Sequence, residues 1–405
     1  MHRFRSGNCV GDLMSIASIM GKVKSRPSFT PDKKWVLPDC LLGVEFEFEG
    51  VVDKKLPKHT FADFWVYHEE TSLKNEGAEY VFSTPLFGTD ASNALKWLVE
   101  YAIASKWLAS ARCGIHVHVD VRDLEVPQLA GMSIIYAIME PFLYKWVGDS
   151  RENSHFCIPL YKADDALHRT CNLIKCAHND SVYGGTRAFS QADAYLRYCG
   201  YNLQALAKFG TVEFRHLRTT TNLQRIEDWI NMLLSVKASA YKLPESDGSV
   251  ITLIEDMDVI SALRYIFPIN LADQLYSSVG TVEEARYLFH DIGLNSARDI
   301  AIHGCHDRGW FKASYPKGQH SGYSTWFKAN ALTLEENSVI KKTTLSKYKD
   351  FNAEELNRVI IPMPRPEELN PINWEAPNIN LQNFHIDIQE VLQQRVDALE
   401  PAEDR

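Results

Sequence analysis

The chain of 405 residues is 45% hydrophobic and 23% charged, a composition that excludes a wholly disordered chain and a fibrous repeat. Its 43 basic and 52 acidic side chains leave a formal net charge of −9, which argues against a broad basic surface for duplex nucleic acid. Eight scattered cysteines, and an apolar window at 133–147 that Glu140 and Lys145 interrupt, predict a cytoplasmic protein with reduced thiols and no membrane span.

Changes in composition along the chain predict three parts. Residues 1–35 are an irregular, basic N-terminal extension, and residues 36–345 are one large mixed domain. Residues 346–405 are a C-terminal extension, because prolines at 362, 364, 366, 371 and 377 interrupt any regular element before a final helix near Ile386–Leu399.

Hydrophobic periodicity predicts the main elements, since alternation indicates a strand and a 3.6-residue period indicates an amphipathic helix. The predicted strands, in chain order, are Leu41–Glu49, Phe64–His68, Ala78–Phe82, Gly114–Val121 and Gly210–Arg218. The predicted helices are one capped by Asp90, Leu129–Trp146 with a kink at Pro141, Asn222–Leu243, Val259–Phe267 and Val282–His290. These elements predict an α+β domain.

Charged side chains dominate the polar faces of these strands. Successive side chains of a strand point to opposite faces, so the apolar residues between them face the other way. The polar rows are Glu45, Glu47 and Glu49; Glu79; His116, His118 and Asp120; and Thr211, Glu213 and Arg215. A row of three glutamates is unusual for a solvated strand, because like charges in adjacent positions repel.

Two interpretations of these rows remain open. If they share one sheet face, five glutamates meet one arginine there, which suits a hard divalent cation such as Mg²⁺ or Mn²⁺. Alternatively each row faces solvent, since no spacing rule makes these strands neighbours. Cys and His residues at 168–178 and 303–306 match no standard zinc spacing, and buried thiols are the better interpretation.

Five sequence segments occur in an order that is typical of one enzyme superfamily. They are Gly43–Phe48 (GVEFEF), Gly77–Leu86 (GAEYVFSTPL), Cys113–Val119 (CGIHVHV), Arg197–Tyr198 with Asn202–Leu203, and Gly210–Arg215 (GTVEFR). Together they resemble the carboxylate–amine ligases, which include glutamine synthetase and glutamate–cysteine ligase, and more closely the amidoligase branch. The resemblance implies a curved antiparallel sheet of the glutamine-synthetase catalytic-domain type, with helices on its outer face, and makes residues 36–345 the catalytic domain.

The resemblance also implies a set of metal ligands for ATP-bound Mg²⁺, with Mn²⁺ as a possible substitute. Glu45 and Glu47 occupy the positions of two glutamates that bind different metal ions. Glu79 matches a further carboxylate ligand, and His116 matches a histidine that shares a metal with Glu45 and Glu213. Relatives have an aspartate shortly before the Glu79 strand, where this chain offers Glu70 as a longer substitute.

Nucleotide and phosphoryl contacts follow from the same resemblance. His118 lies where relatives place a residue near the nucleotide phosphates, and Arg197 and Asn202 are assigned to nucleotide binding with it. Arg215 matches the arginine that contacts the transferred phosphoryl group, so Arg215 and Glu213 are the expected catalytic residues. Independently of the resemblance, Arg151 is a candidate substrate contact, because arginine binds carboxylates and phosphates in a bidentate manner; the alternative is a surface arginine.

The implied activity joins a small-molecule or peptide carboxylate to an amine through an acyl phosphate made with ATP and two or three Mg²⁺ ions. The partners are therefore two substrates, with no duplex nucleic acid and no membrane. One alternative is a metal-dependent phosphotransferase of the guanidino-kinase type, by analogy of fold alone. Another is a binding protein that keeps the sheet and has lost catalysis.

Overall fold

The computed structural model describes residues 15–20, 30–70, 72–154, 156–183, 194–241, 249–305 and 313. All of them fall in one compact unit that spans residues 1–332. The second unit, residues 333–405, lies outside the described residues, and so does the final helix predicted near Ile386–Leu399. The domain boundaries at 35 and 345 stay predictions.

One antiparallel sheet of six strands organises the described residues. Its strands are β1 (Leu42–Phe48), β2 (Trp65–His68), β3 (Ala78–Phe82), β4 (Gly114–Asp120), β5 (Tyr201–Asn202) and β6 (Thr211–Arg218). Their order is β2-β3-β1-β4-β6-β5, and each neighbouring pair is antiparallel. Each of the five predicted strands is therefore present, and β5 is an addition.

The apolar face of the sheet forms the core with the helices packed on it. Val44, Phe46, Ile115, Val117 and Phe214 are all buried, as their alternation with charged residues predicts. The mixed helix and strand content and the single antiparallel sheet confirm the α+β prediction. The specific glutamine-synthetase type of the sheet stays a prediction.

Twelve α-helices lie among the described residues, and five of them match the predicted helices with shifted ends. They are α1 (Ile16–Met20), α2 (Gly88–Ala104), α3 (Val126–Val147), α4 (Asp149–Glu152), α5 (Asp164–Tyr183), α6 (Ala205–Phe209), α7 (Leu223–Ala240), α8 (Ser249–Glu255), α9 (Val259–Ile266), α10 (Ile269–Ser277), α11 (Val282–Arg286) and α12 (Leu294–Asp299). Helical residues also continue from α11 to Cys305 through π-helical stretches at Tyr287–Gly293 and Ile300–Cys305.

Two predicted helix starts were wrong for local reasons. Helix α2 begins at Gly88 after the N-cap Phe87, so Asp90 lies inside the first turn and is not the cap. Helix α3 begins at Val126, before the predicted Leu129, because Glu125 and Gln128 form a capping box there. Helix α7 starts where predicted, and its N-cap Asn222 accepts a hydrogen bond from the Arg225 backbone N–H at 3.1 Å.

Helix α3 is the central helix on the apolar face. Its Tyr136 ring contacts the rings of Phe214 and Tyr201, so the helix lies directly behind β6 and β5. Among the described residues it is the one helix long and apolar enough to cross a bilayer, and 89% of its apolar window is buried within the protein. That burial is typical of a core helix.

Candidate metal and nucleotide site

The strand register brings the predicted charged rows together on the second face of the sheet. Glu45 of β1 pairs with His116 of β4, and Glu47 of β1 pairs with Glu79 of β3. His118 of β4 pairs with Glu213 of β6. The rows therefore face one another across four neighbouring strands, and the interpretation that each faces solvent alone is wrong.

Glu45 lies at the centre of this face, between two histidines. Its Oε2 atom is 3.0 Å from Nδ1 of His116, and its Oε1 atom is 3.1 Å from Nε2 of His118. Burial alone would raise the pKa of Glu45, but the hydrogen bonds to the two imidazoles outweigh it and hold the pKa well below its usual range. Glu45 is therefore an ionised carboxylate with imidazole neighbours.

His118 connects Glu45 to the β6 end of the face. Its Nδ1 atom lies 3.0 Å from the Thr211 hydroxyl oxygen. Burial would lower the pKa of His118, but the hydrogen bond to Glu45 and the charge of Glu213 raise it. The ring is thus oriented by a hydroxyl on one side and by carboxylates on the other.

Glu213 is held by two different donors. The Asn202 side-chain amide donates to Oε2 of Glu213 at 2.6 Å, and the Arg215 guanidinium donates to Oε1. Nδ1 of His116 also lies 3.8 Å from Oε1. Arg215 donates through Nε to the Phe156 carbonyl oxygen at 3.2 Å, which fixes the guanidinium at the border of the face.

Glu47 approaches β4 because position 114 is a glycine. The Gly114 backbone N–H donates to Oε2 of Glu47 at 2.5 Å. A Cβ atom at position 114 would lie only 3.0 Å from Nε2 of His116 and 3.3 Å from that carboxylate oxygen. The glycine of the predicted Cys113–Val119 segment therefore provides the space in which Glu47 and His116 meet.

Glu79 closes the acidic side of the face. Burial first, and then the negative charges of Glu45, Glu47 and Glu70, raise the pKa of Glu79 to about 8. Glu70 is near enough to add to this repulsion, and its Oε1 atom accepts the Ser72 backbone N–H at 2.8 Å. Crowded carboxylates of this kind are stabilised by a bound cation.

Two groups of side chains have the spacing of a metal site. The ligand atoms of Glu45, His118 and Glu213 lie within 4.8 Å of one another, and so do those of Glu45, Glu79 and His116. Among the described residues these two groups have Glu45 in common. Mostly oxygen ligands with one imidazole in each group fit Mg²⁺ or Mn²⁺, so the chemistry of the donors agrees with the implied cations.

A cavity of about 300 Å³ opens at the β6–β5 end of the face. Three residues predicted to bind nucleotide, Arg197, Asn202 and Arg215, contribute to its wall. Sequence reasoning missed two others, Lys208 and the half-exposed Phe209, whose ring packs edge-on to His118 at 5.5 Å. The signal that could have identified Lys208 and Phe209 is their position just before the Gly210–Arg215 segment. The face is therefore acidic at β3 and β1 and basic at its other end.

Arg151 does not lie in this cavity. The side chain is 4% exposed. Its Nε atom donates to the His216 carbonyl oxygen at 2.9 Å, and its Nη2 atom donates to the Arg215 carbonyl oxygen at 2.5 Å. The side chain therefore supports the backbone of β6. A contact between Arg151 and a substrate stays a prediction.

Comparison with known families agrees with the resemblance found in the sequence. A family model described as "Putative amidoligase enzyme" matches residues 81–237, which agrees with the predicted resemblance over that part of the chain and supports ligase activity. The match includes His116, His118, Glu213 and Arg215, whereas β1 with Glu45 and Glu47 lies before it. No curated protein and no solved structure matches the chain.

Proposed function

Residues 81–237 match the amidoligase family, and from this premise we propose that the chain is an ATP-dependent ligase that joins a carboxylate to an amine. One observation carries the proposal: two groups of metal ligands share Glu45, and the guanidinium of Arg215 contacts Glu213, a member of one group. Phosphoryl transfer requires this combination, because its catalysis consists mainly of positioning and neutralisation of charge.

The proposed reaction has two steps that proceed through an acyl phosphate. The γ-phosphoryl group of ATP passes to an oxygen of the substrate carboxylate, so the bond from phosphorus to ADP breaks as the new P–O bond forms. The amine then attacks the carbonyl carbon, a C–N bond forms, and phosphate leaves as the ammonium proton is lost. Activation is necessary because an unactivated carboxylate has no adequate leaving group.

The chain's own residues divide the tasks of the first step. Glu45, Glu79 and His116 would hold one divalent cation, and Glu45, His118 and Glu213 a second, with Glu47 and Glu70 beside the first group. Mg²⁺ or Mn²⁺ bound there supplies positive charge to the triphosphate. The proposal is two or three cations, and two of them account for the two ligand groups.

Arg215 would stabilise the phosphoryl group during transfer. Its guanidinium is held by Glu213 and by the Phe156 carbonyl oxygen, so it is positioned before any substrate binds. Arginine beside a transferring phosphoryl group stabilises the charge that spreads over its equatorial oxygens. Arg215 and Glu213 are thus the proposed catalytic residues.

The cavity at the β6–β5 end suits the nucleotide. Arg197 and Lys208 offer cations for phosphate oxygens, Asn202 offers an amide, and the half-exposed Phe209 ring offers a surface for a base. The amidoligase family suggests small-molecule substrates, and we include peptide carboxylates and amines among the candidates.

A screen for ADP release tests the proposal. The protein with MgATP is offered pairs of amino acids, peptides and amines, and products are identified by mass spectrometry. A ligase releases ADP and phosphate and forms an amide only when the acid and the amine are both present. A kinase instead leaves a stable phosphorylated acceptor, and that result, or no turnover with any pair, would reject the ligase.

Arg215→Lys tests the role of the guanidinium with a matched control. We expect turnover to fall about 10²-fold or more, because an ammonium group cannot reproduce the planar fork of arginine. Arg298→Lys is the control, since Arg298 is also buried and paired with a glutamate, Glu255, but lies in the helical region far along the chain. Equal turnover of the two variants would remove Arg215 from the mechanism.

A further inference from the structure

Strand β6 contains a β-bulge at Arg215 and His216. Val117 pairs with Phe214 and Ile115 pairs with Leu217, so His116 alone faces two residues of β6. Strict alternation would place Leu217 on the polar face with Arg215, whereas the bulge buries both His216 and Leu217 in the core. Bulges are common beside active sites, where they redirect a side chain.

The backbone of the bulge is held by Arg151, whose Nη2 atom would lie 3.3 Å from a Cβ atom at Gly114, on the same side as Nε2 of His116 and Oε2 of Glu47. Its two donors reach the carbonyl oxygens of Arg215 and His216, and the Arg215 backbone N–H donates to the Gly200 carbonyl oxygen at 3.0 Å. A bulge interrupts the ladder and leaves backbone groups to be satisfied by other partners. Arg151 supplies the donors here and fixes the direction in which Arg215 leaves the strand.

The His216 side chain is anchored in the core by a hydrogen-bonded chain that ends at Glu140. The Tyr136 hydroxyl donates to Oε1 of Glu140 at 2.7 Å and lies 2.8 Å from Nε2 of His216. With the Tyr136 hydroxyl donating to Glu140, Nε2 of His216 is assigned as the donor to Tyr136. Burial raises the pKa of Glu140 to about 7, although the hydrogen bond from Tyr136 and those from the Leu160 and Tyr161 backbone lower it. Burial, then the charge of Arg151, lowers the pKa of His216 to about 3, which agrees with this neutral tautomer.

Glu140 also holds the loop that contacts the Arg215 side chain. Its carboxylate accepts the backbone N–H groups of Leu160 at 2.9 Å and Tyr161 at 3.2 Å. The same loop provides the Phe156 carbonyl oxygen to which Nε of Arg215 donates. Glu140 therefore connects to Arg215 twice, through the bulge and through this loop.

We propose that Glu140, Tyr136 and His216 are positioning residues that aim the Arg215 guanidinium at the phosphoryl group. This inference rests on the proposed function of Arg215, and it assigns a role in the reaction to three buried residues that cannot touch substrate. A misplacement of about 1 Å in a catalytic group costs up to about 10²-fold in rate. The network is the part of the core whose loss would cause such a displacement.

Tyr136→Phe is the principal test, because it removes one hydroxyl and keeps the ring. The control is Tyr201→Phe, since Tyr201 stacks on Tyr136 at 4.2 Å, is equally buried, and its hydroxyl contacts Ser133 at 2.9 Å instead of the network. With the acid and amine found by the screen, Tyr136→Phe should lower kcat about 10-fold or more with KM for MgATP within about 2-fold. Tyr201→Phe should keep kcat while its melting temperature falls by a similar amount.

A double-mutant cycle makes the test specific to Arg215. If Tyr136 acts through that residue, Tyr136→Phe should change kcat far less in an Arg215→Lys background than in the wild type. Equal effects in both backgrounds, or equal losses for Tyr136→Phe and Tyr201→Phe, overturn the positioning role.

Failure of the proposed function would be recognised separately, as absence of ADP release by the wild type with every pair. The inference is then decided by a crystal structure of Tyr136→Phe. Retention of the Arg215 contacts with Glu213 and Phe156 in that structure rejects the network, and their loss supports it.

Discussion

Glu45 in β1 and Glu49 just after its end belong to the same predicted glutamate row, but the two ends of that row have different surroundings. Glu49 is 2% exposed, and its carboxylate receives Nε of Arg112 and the Lys74 backbone N–H, both at 3.0 Å. Glu45 contacts two imidazoles, which are themselves metal-ligating groups. One carboxylate has a permanent cation of the protein beside it, and the other does not.

The comparison shows that a repeated residue type does not define a site. Burial would raise the pKa of Glu49, but its hydrogen bonds with Arg112 and with the Lys74 backbone lower it. The charge of Glu49 is therefore balanced by Arg112 within the protein. Around Glu45 and Glu79 several carboxylates share a small space, and burial, then the negative charges of these neighbours, raises the pKa of Glu79 to about 8. We propose that a divalent cation balances the charge of the Glu45 region, whereas Arg112 already balances that of Glu49.

The largest expected effect is the loss of catalysis in Glu45→Gln. This substitution removes the carboxylate shared by both ligand groups, so ADP release should fall about 10²–10⁴-fold, as for other electrostatic catalysts. Glu49→Gln is the matched control and should keep turnover within about 3-fold, since Glu49 lies outside both groups. Circular dichroism checks that both variants fold, and full activity of Glu45→Gln would refute the shared-ligand assignment.

Mn²⁺ binding should distinguish the region of Glu45 from that of Glu49 in the absence of substrate. A cation that binds only the folded protein stabilises it by about 2.7 kcal/mol at a concentration 100 times its Kd. We expect this gain in urea unfolding for the wild type and Glu49→Gln, measured with Mn²⁺ against EDTA. Glu45→Gln should lose most of the gain, and an unchanged gain there would place the cation elsewhere.

The face on which most of the charged side chains lie could be predicted from the sequence. Apolar and charged residues alternate along each strand, and the apolar ones face the core, so the charged ones must face the other way. Glu45, Glu79, His116 and Glu213 lie on one face for that reason. Glu49 was predicted in the same row, but its partner Arg112 is distant in the chain and has no periodic signal. Side-chain pairing of this kind depends on the tertiary fold.

The features that the sequence did not predict lie in elements too short or too irregular to show a hydrophobic period. Strand β5 has two residues, so Asn202 could be assigned through the family resemblance but not through alternation. The bulge at Arg215 and His216 inserts one residue, which alternation cannot place in advance. Lys208 and Phe209 belong to a short helix at the cavity, where the local sequence says little about neighbours.

The pH dependence of stability should show the crowded region in metal-free protein. Glu79 has a folded pKa of about 8 against a usual value of 4.5, so the native state binds its proton more tightly than the unfolded state. The stabilisation of the native state by this proton is complete below pH 4.5. It is lost as the pH rises to about 8, by no more than about 1.4 kcal/mol per pH unit. Urea unfolding in EDTA at pH 5 and pH 7.5 should therefore show a smaller pH-dependent loss in Glu79→Gln than in the wild type. An identical loss would mean that neither burial nor the neighbouring carboxylates raise the pKa of Glu79 in the folded protein.

The smallest expected effect is on the Glu49–Arg112 ion pair. Glu49→Gln should lower the free energy of unfolding by about 1 to 2 kcal/mol at pH 7, a modest value because the Arg112 side chain is 45% exposed and partly screened by water. The folded pKa of Glu49 is lowered from 4.5, so the wild type should keep this advantage above that pH and lose it as the pH falls through the folded value. Mn²⁺ should not alter the difference, because the pair needs no cation. A difference that persists at pH 2 would show that the ionised Glu49–Arg112 pair is not its source, and a dependence on Mn²⁺ would place Glu49 in the same region as Glu45.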